Sequence, residues 1–195
     1  MDAAVALFSK KGYAAVGIRE IAREANVNIS MISYYYQGKA GILKMIMEKY
    51  FNDYNSMLDI FSDINEEPEK AVRVFTHNLV NYLKENRESA MVAYNMIPIL
   101  VDEIEEWKSD KLRESMDKMR GLIRMFDMDA EDILFVGAIG PALISIIFTK
   151  FQRLPEIKKN WDLELDDALY HRYAEVVATL FLNGLNGLKA NHTGA

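Results

Sequence analysis

The chain has 195 residues, half of them hydrophobic, with 29 acidic against 23 basic side chains and a net charge of −6. That length can bury a substantial core and hold a small domain beside a larger one. The absence of cysteine excludes disulfides, thiolate metal sites and cysteine nucleophiles and, with no secretory signal at the N-terminus, makes a cytoplasmic location the expectation. Charge is unevenly divided: residues 1–50 carry seven lysines and arginines against four acidic residues, a net +3, so the remainder carries −9. A positive head on an acidic body suits a protein that presents one end to nucleic acid.

In chain order, the first patterned segment is Ile18, Ile21, Ala22 and Ala25, an i, i+3, i+4, i+7 stripe on a helix whose other face carries Arg19, Glu20, Arg23 and Glu24. Asn26 stands where the chain needs a left-handed residue to stop that helix, a conformation asparagine tolerates. Asn28 then caps a second helix, its side-chain oxygen placed to accept from the backbone N–H of Ser30 or Met31. Helix, tight turn and capped helix fit the span of a helix-turn-helix.

On the second helix, Val27 and Ile32 are expected to point back at the first, leaving Asn28, Ile29, Ser30, Met31, Ser33 and Tyr34 outward. Amide, hydroxyl and apolar groups on one face match what base edges offer: asparagine pairs with adenine, serine meets several bases, and apolar side chains pack on thymine methyls. With no arginine on that face, specificity per contact is expected to be modest. The alternative reading packs Ile29 and Met31 against a neighbouring helix.

Tyr34, Tyr35 and Tyr36 cannot all be buried, because successive helical residues turn by about 100°. Tyr36 continues the stripe from Ile32 and is the one expected inside. An exposed phenol can donate to a phosphate oxygen, and Lys39 adds a cation to the same strand. Three amphipathic side chains at a helix end beside a solvated lysine is the plainer alternative.

Taken together, Ala3-Ala4, Leu7-Phe8, Gly12-Tyr13, Ile18-Arg19-Glu20-Ile21-Ala22, Ala25, Val27, Ile32-Ser33-Tyr34-Tyr35-Tyr36, Lys39 and Leu43 resemble the N-terminal domain of the TetR/AcrR family of bacterial transcriptional regulators. The resemblance covers about 45 residues. It implies an all-α fold: an N-terminal three-helix helix-turn-helix domain, residues 1–45, joined by a long helix to a larger helical ligand-binding and dimerisation domain, residues 46–195. It makes the helix from Asn28 to Tyr34 the recognition helix and puts Tyr34, Tyr35 and Lys39 on positions that bind the DNA backbone. Two departures are local. Asn26 replaces the usual glycine, and Gly17 replaces the usual hydroxyl cap, at a cost of a few tenths of a kcal/mol. Family members also have several residues, often basic, ahead of Met1-Asp2-Ala3; such an arm adds phosphate contacts without moving the recognition helix.

Downstream, helical periodicity dominates and no β-hairpin signal occurs. Helices are expected at about 40 to 62, 68 to 86, 88 to 101, 103 to 126, 130 to 152 and 166 to 190, within a few residues. Pro68 suits a first helical turn, Pro98 should kink or split its helix, Gly140-Pro141 should bend the next long one, and Leu154-Pro155 should break the chain into a loop that includes Trp161. The uncharged stretch 133–149 falls short of the roughly 20 residues of a membrane span and reads as a buried or interface helix.

Leu180, Phe181, Gly184, Leu185, Gly187 and Leu188 combine bulky and small side chains in the manner of a helix-helix interface. In the resembled family the last two long helices of each subunit form a four-helix bundle, and two heads meet a pseudo-palindrome with half-sites roughly 34 to 36 Å apart. A homodimer is therefore expected, with a monomer that buries both helices internally as the alternative. Met91, Tyr94, Met96, Trp107, Met119, Met125, Phe126 and Phe148 are candidates for an adaptable apolar effector pocket, or else ordinary core. An effector acts only if it favours a head spacing that does not fit the operator.

Little in the sequence points to enzyme chemistry. His77, His171 and His192 are far apart, none follows a glutamate by three residues, and no Gly-rich phosphate loop, H-E-x-x-H or G-x-S-x-G occurs. Neither a metal nor a cofactor is expected, and His77 reads as a histidine held by a structural hydrogen bond. The expected function is a DNA-binding regulator, most simply a repressor released from double-stranded operator DNA by a small apolar or amphipathic effector. The competing class is a helical ligand-binding or interaction module without DNA affinity.

Overall fold

Nine α-helices account for nearly all regular structure in this computed structural model, which describes residues 1–63, 65–161 and 164–192 and contains no strand among them. The helices are α1 Asp2–Lys11, α2 Ile18–Glu24, α3 Ile29–Tyr36, α4 Lys39–Leu58, α5 Pro68–Glu85, α6 Arg87–Met96, α7 Glu105–Met125, α8 Ile133–Trp161 and α9 Asp167–His192. Short 3₁₀ turns at Asp59–Ser62 and Asp102–Ile104 extend α4 and precede α7.

Proline placement explains most boundaries, and one of them corrects the sequence reading. Pro68 opens α5, where a missing N–H is harmless. α6 stops two residues before Pro98: the Tyr94 carbonyl, which an N–H at position 98 would have bonded, takes Ile97 N–H at 3.2 Å instead. Leu154-Pro155, by contrast, does not end its helix. The backbone stays helical to Trp161, because a proline deep in a long helix removes one donor from the ladder and leaves the rest of the ladder standing. The longer helix also makes the apolar stretch 133–154 long enough to cross a membrane by length and composition; its most apolar window has a mean hydropathy of 2.0, and a third of that window is buried within this chain.

The chain divides into two units, one made of Met1–Asp53 with Asn86–Leu112 and the other of the described residues of Tyr54–Glu85 and Arg113–Ala195. In the first, α1 packs along α6, burying Ala4, Val5, Leu7 and Phe8 on one side and Ala90, Met91, Val92, Ala93 and Met96 on the other. Phe51 meets Trp107 edge-on at 6.1 Å. Lys108, 2 % exposed, is buried with its charge answered: Nζ donates to the Ile99 carbonyl at 2.5 Å and pairs with Glu105 at 2.7 Å. Unpaired, a buried charge of that kind would cost several kcal/mol.

The second unit is built on α5 against α9, with α8 packed on both. Ala71, Val72, Phe75, Leu79 and Leu83 give α5 an apolar stripe at helical spacing. Ala174 and Ala178 keep the facing surface of α9 low, and Val177, Phe181, Leu182 and Leu185 fill between the helices. Tyr173 on α9 donates its hydroxyl to the Ile146 carbonyl of α8 at 2.8 Å. Gly121 is required for packing: a Cβ there would stand 2.4 Å from the Phe61 carbonyl oxygen.

Candidate nucleic-acid interface

The reading head is set by how α2 ends. Asn26 takes φ +52°, and Val27 N–H reaches back to the Ala22 carbonyl at 2.9 Å while Ala25 N–H bonds Ile21. That is a Schellman closure, in which a left-handed residue lets the next N–H satisfy the last helical carbonyls; after glycine, asparagine adopts it at least cost. Asn28 then turns extended and its side chain accepts from Ser30 N–H at 2.9 Å, capping α3 as its sequence position anticipated. Gly17, the N-cap of α2, offers no side chain for the same purpose.

α3 is eight residues long and buries a single side chain, Ile32, against α2. Asn28, Ile29, Ser30, Met31, Ser33, Tyr34 and Tyr35 all remain exposed, Tyr34 by 80 % and Tyr35 by 67 %. The two phenols lean edge-on to each other at 5.0 Å. Tyr36 is half-buried. Val27, expected to point back to α2, is more than a third exposed; with Met31, Tyr35 and Tyr36 it borders a shallow cavity of about 180 Å³ floored by Ile21, Ile32 and Ile42.

The cap changes what Asn28 can offer. One lone pair of its Oδ1 is taken by Ser30 N–H, which leaves the second lone pair and the two Nδ2 donors. Two amide donors match in chemistry the acceptors that base edges offer, such as purine N7, guanine O6 and thymine O4.

Lys39 is more tightly held than a solvated lysine. Its ammonium donates to the Tyr13 carbonyl at 3.0 Å and lies 4.1 Å above the Tyr13 ring, which in turn packs 5.3 Å from Phe8. One of three N–H donors thus ties the start of α4 to the loop after α1. Around the head, Glu20 is neutralised by Lys11 at 2.5 Å, the hydrogen bond that chiefly holds its carboxyl below the usual range, while Arg19 and Arg23 stay exposed.

Sequence reasoning missed the joint that aims α3. Gln37, at φ +57°, closes α3 left-handed, and the chain enters α4 so closely that a Cβ on Gly41 would sit 1.6 Å from the Tyr36 carbonyl oxygen. The signal available was a glycine one turn inside an otherwise good helix-forming stretch.

Comparison with known proteins accords with this geometry. The sequence model described as "Bacterial regulatory proteins, tetR family" matches residues 1–46, the span of α1, α2, α3 and the start of α4. A Bacillus subtilis (strain 168) protein described as "Probable HTH-type transcriptional regulator YttP" is 25 % identical over 161 residues, covering 74 % of this chain and 78 % of its own. Residues 1–46 are a TetR-family N-terminal domain. Among solved structures of the same fold, the TetR-family regulator PfmR of Thermus thermophilus superposes with a TM-score of 0.71 at 17 % identity, over 93 % of this chain and 96 % of its own. SmeT, the repressor of the Stenotrophomonas maltophilia multidrug efflux pump SmeDEF, does so with a TM-score of 0.64 at 16 % identity, over 94 % and 86 %. With that domain at its N-terminus the chain is a DNA-binding transcriptional regulator.

The other residues singled out from sequence are scattered over this TetR-family fold. Met91, Tyr94 and Trp107 lie in the first unit, and Met119, Phe126 and Phe148 in the second. Met91 borders a cavity of about 190 Å³ beside Phe8 and Tyr13. A larger one, about 590 Å³, opens in the second unit between Phe61, Pro68, Gly121, Arg124 and Met125, with Asp63, Glu66, Asp117 and Asp127 at its wall; its acidic lining was not anticipated. On α9, Phe181 and Leu185, expected at a helix-helix interface with a second copy, belong instead to the chain's own core at 8 % and 2 % exposure, whereas Val176, Leu180, Gly184 and Leu188 lie exposed. His77 is not isolated: its Nε2 meets Glu175 Oε1 at 2.6 Å and its ring lies 4.6 Å from that of His171. Helix packing brings together histidines that lie far apart along the chain.

Proposed function

We propose that this regulator is a cytoplasmic homodimeric repressor, without enzymatic activity, released from a pseudo-palindromic operator by a small apolar or amphipathic effector. The observation that carries the DNA half of the reading is the capped, outward face of α3. Asn28, Ile29, Ser30, Met31 and Ser33 meet base edges in the major groove, and Tyr34, Tyr35 and Lys39 hold the phosphates on either side. In this reading residues 1–45 form the DNA-binding domain and residues 46–195 the effector-binding and dimerisation domain.

Support for the dimer comes from α8 and α9. Val176, Leu180, Gly184 and Leu188 recur every four residues on exposed α9, and Ile133, Leu134, Gly137, Ala138 and Pro141 are exposed on α8. An apolar face that size needs a partner, and a second copy supplies an identical one across a two-fold axis. The repressor sense follows the role named for SmeT. Met91, Tyr94, Trp107, Met119, Phe126 and Phe148 are the apolar side chains offered to the effector.

Selection of bound fragments from random or genomic DNA, followed by binding titrations over a range of salt, tests this. A repeated half-site spaced by about one helical turn and affinity that falls steeply with salt are expected. A flat salt response with no recovered site would replace the proposal with a helical ligand-binding module. Release of the selected DNA by apolar small molecules, read by fluorescence anisotropy, tests the effector half.

A further inference from the structure

The densest cluster of metal-ligating chemistry among the described residues lies in the second unit, where α5 packs on α9. His171 and Glu175, one turn apart on α9, share a face and meet His77 of α5. One ligand atom from each of the three residues lies within 4.8 Å of the other two. Glu175 is prepared from both sides: Arg73 Nη1 holds Oε2 at 2.6 Å, which leaves Oε1 aimed at His77 Nε2, also at 2.6 Å. Its carboxyl is held below the usual range, first by the His77 hydrogen bond and also by the Arg73 charge, so the ligand is ionised at neutral pH.

We propose that His77, His171 and Glu175 bind a divalent transition-metal ion of the zinc type. Two imidazole nitrogens and one carboxylate oxygen are the donor set of zinc sites that keep a fourth position open, with bonds of about 2.0 to 2.2 Å. Tetrahedral ligand atoms at those lengths stand roughly 3.4 Å apart. The His77–Glu175 pair therefore opens by about 0.8 Å from its hydrogen-bond distance, and the most separated pair closes by up to about 1.4 Å. Exposed His171 and half-exposed Glu175 have the rotamer freedom for this. The ion takes the place of the proton in the His77–Glu175 hydrogen bond, that proton passing to His77 Nδ1 or to solvent, and a water completes the shell from the solvent side. Imidazole donors select zinc, nickel or copper over magnesium and calcium, which prefer all-oxygen shells. Such an ion would clip α5 to α9 and raise thermal stability by mass action. The metal site requires neither the operator nor the apolar effector.

The test uses the full chain without an affinity tag, stripped with chelator and titrated with Zn²⁺ against a chromophoric competitor. One ion per chain at micromolar affinity or tighter is expected. His171→Ala, at an exposed position, and Glu175→Gln, which keeps the side chain's shape, should each weaken binding by about 100-fold or more, since losing an outer-shell partner alone costs 10- to 100-fold. Co²⁺ in place of Zn²⁺ should give a visible absorption band in the parent that both variants lose, with circular dichroism confirming their helix content. No stoichiometric binding below 100 μM, or parent-like affinity in either variant, would overturn the site.

Discussion

Asn28 does two jobs that one pair of substitutions separates. Its Oδ1 caps α3 through Ser30 N–H at 2.9 Å, and in the proposed reading its Nδ2 donors meet the bases. Asn28→Ala removes both, and loss of the cap costs about 1 kcal/mol, which for a chain of this size lowers Tm by about 2 to 4 °C. Asn28→Ser keeps the cap to within a few tenths of a kcal/mol and so holds Tm near the parent value, but it withdraws the amide donors. A neutral hydrogen bond is worth about 1 kcal/mol net, and two half-sites double that to about 2 kcal/mol, roughly 30-fold in affinity for the preferred operator. Thermal unfolding at fixed protein concentration reads the first effect. Anisotropy titrations on operators varied at one base pair per half-site read the second. Tyr35→Phe serves as a control, since loss of a phosphate contact in each half-site should weaken every sequence alike, by about 5- to 160-fold. An Asn28→Ser protein with the parent's order of operator preference would show that the amide caps and does not read; Asn28→Ala without loss of Tm would refute the cap.

Other expectations follow from packing. Gly41→Ala should collapse the α3–α4 joint, because the added Cβ meets backbone oxygen and no side chain can move aside to relieve it; a loss of about 3 kcal/mol or more and of DNA binding is expected by chemical denaturation and anisotropy. Leu180→Glu should yield a folded monomer by light scattering, whereas Phe181→Ala, one residue on, should lose about 3 to 5 kcal/mol of stability through a core cavity; the reverse pattern would reassign the face of α9. Burial pushes Tyr173 up to about 12 from its usual 10. The fold accommodates only the neutral phenol, so this stabilisation is complete below pH 10 and is lost as pH rises through 12. Tyr173→Phe should flatten that alkaline fall in stability, and spectrophotometric titration should find one tyrosine that ionises last.

The reading head was unusually legible because its determinants are local. A left-handed stop at Asn26, a cap at Asn28 and three consecutive tyrosines each act within a few residues, and backbone hydrogen bonding makes their consequences nearly independent of the remainder of the fold. Pro68 and Pro98 were legible for the same reason. Leu154-Pro155 misled because a proline's effect depends on whether neighbouring turns hold the helix together, which is a matter of packing.

The amino-acid sequence by itself determined the helical class, the turn between α2 and α3, and the polar outward face that begins at Asn28, since all three follow from periodicity and short-range hydrogen bonding. Only the tertiary structure decided which apolar residues are surplus to the core: Leu180 and Phe181 are equally hydrophobic neighbours, yet one faces out and the other in, because successive positions on a helix diverge by about 100° and only the packing partner selects the inward one. The same packing decided that His77, His171 and Glu175 meet, with 93 residues between the two histidines, since proximity across a helix pair depends on how the helices are laid together, which no local pattern encodes.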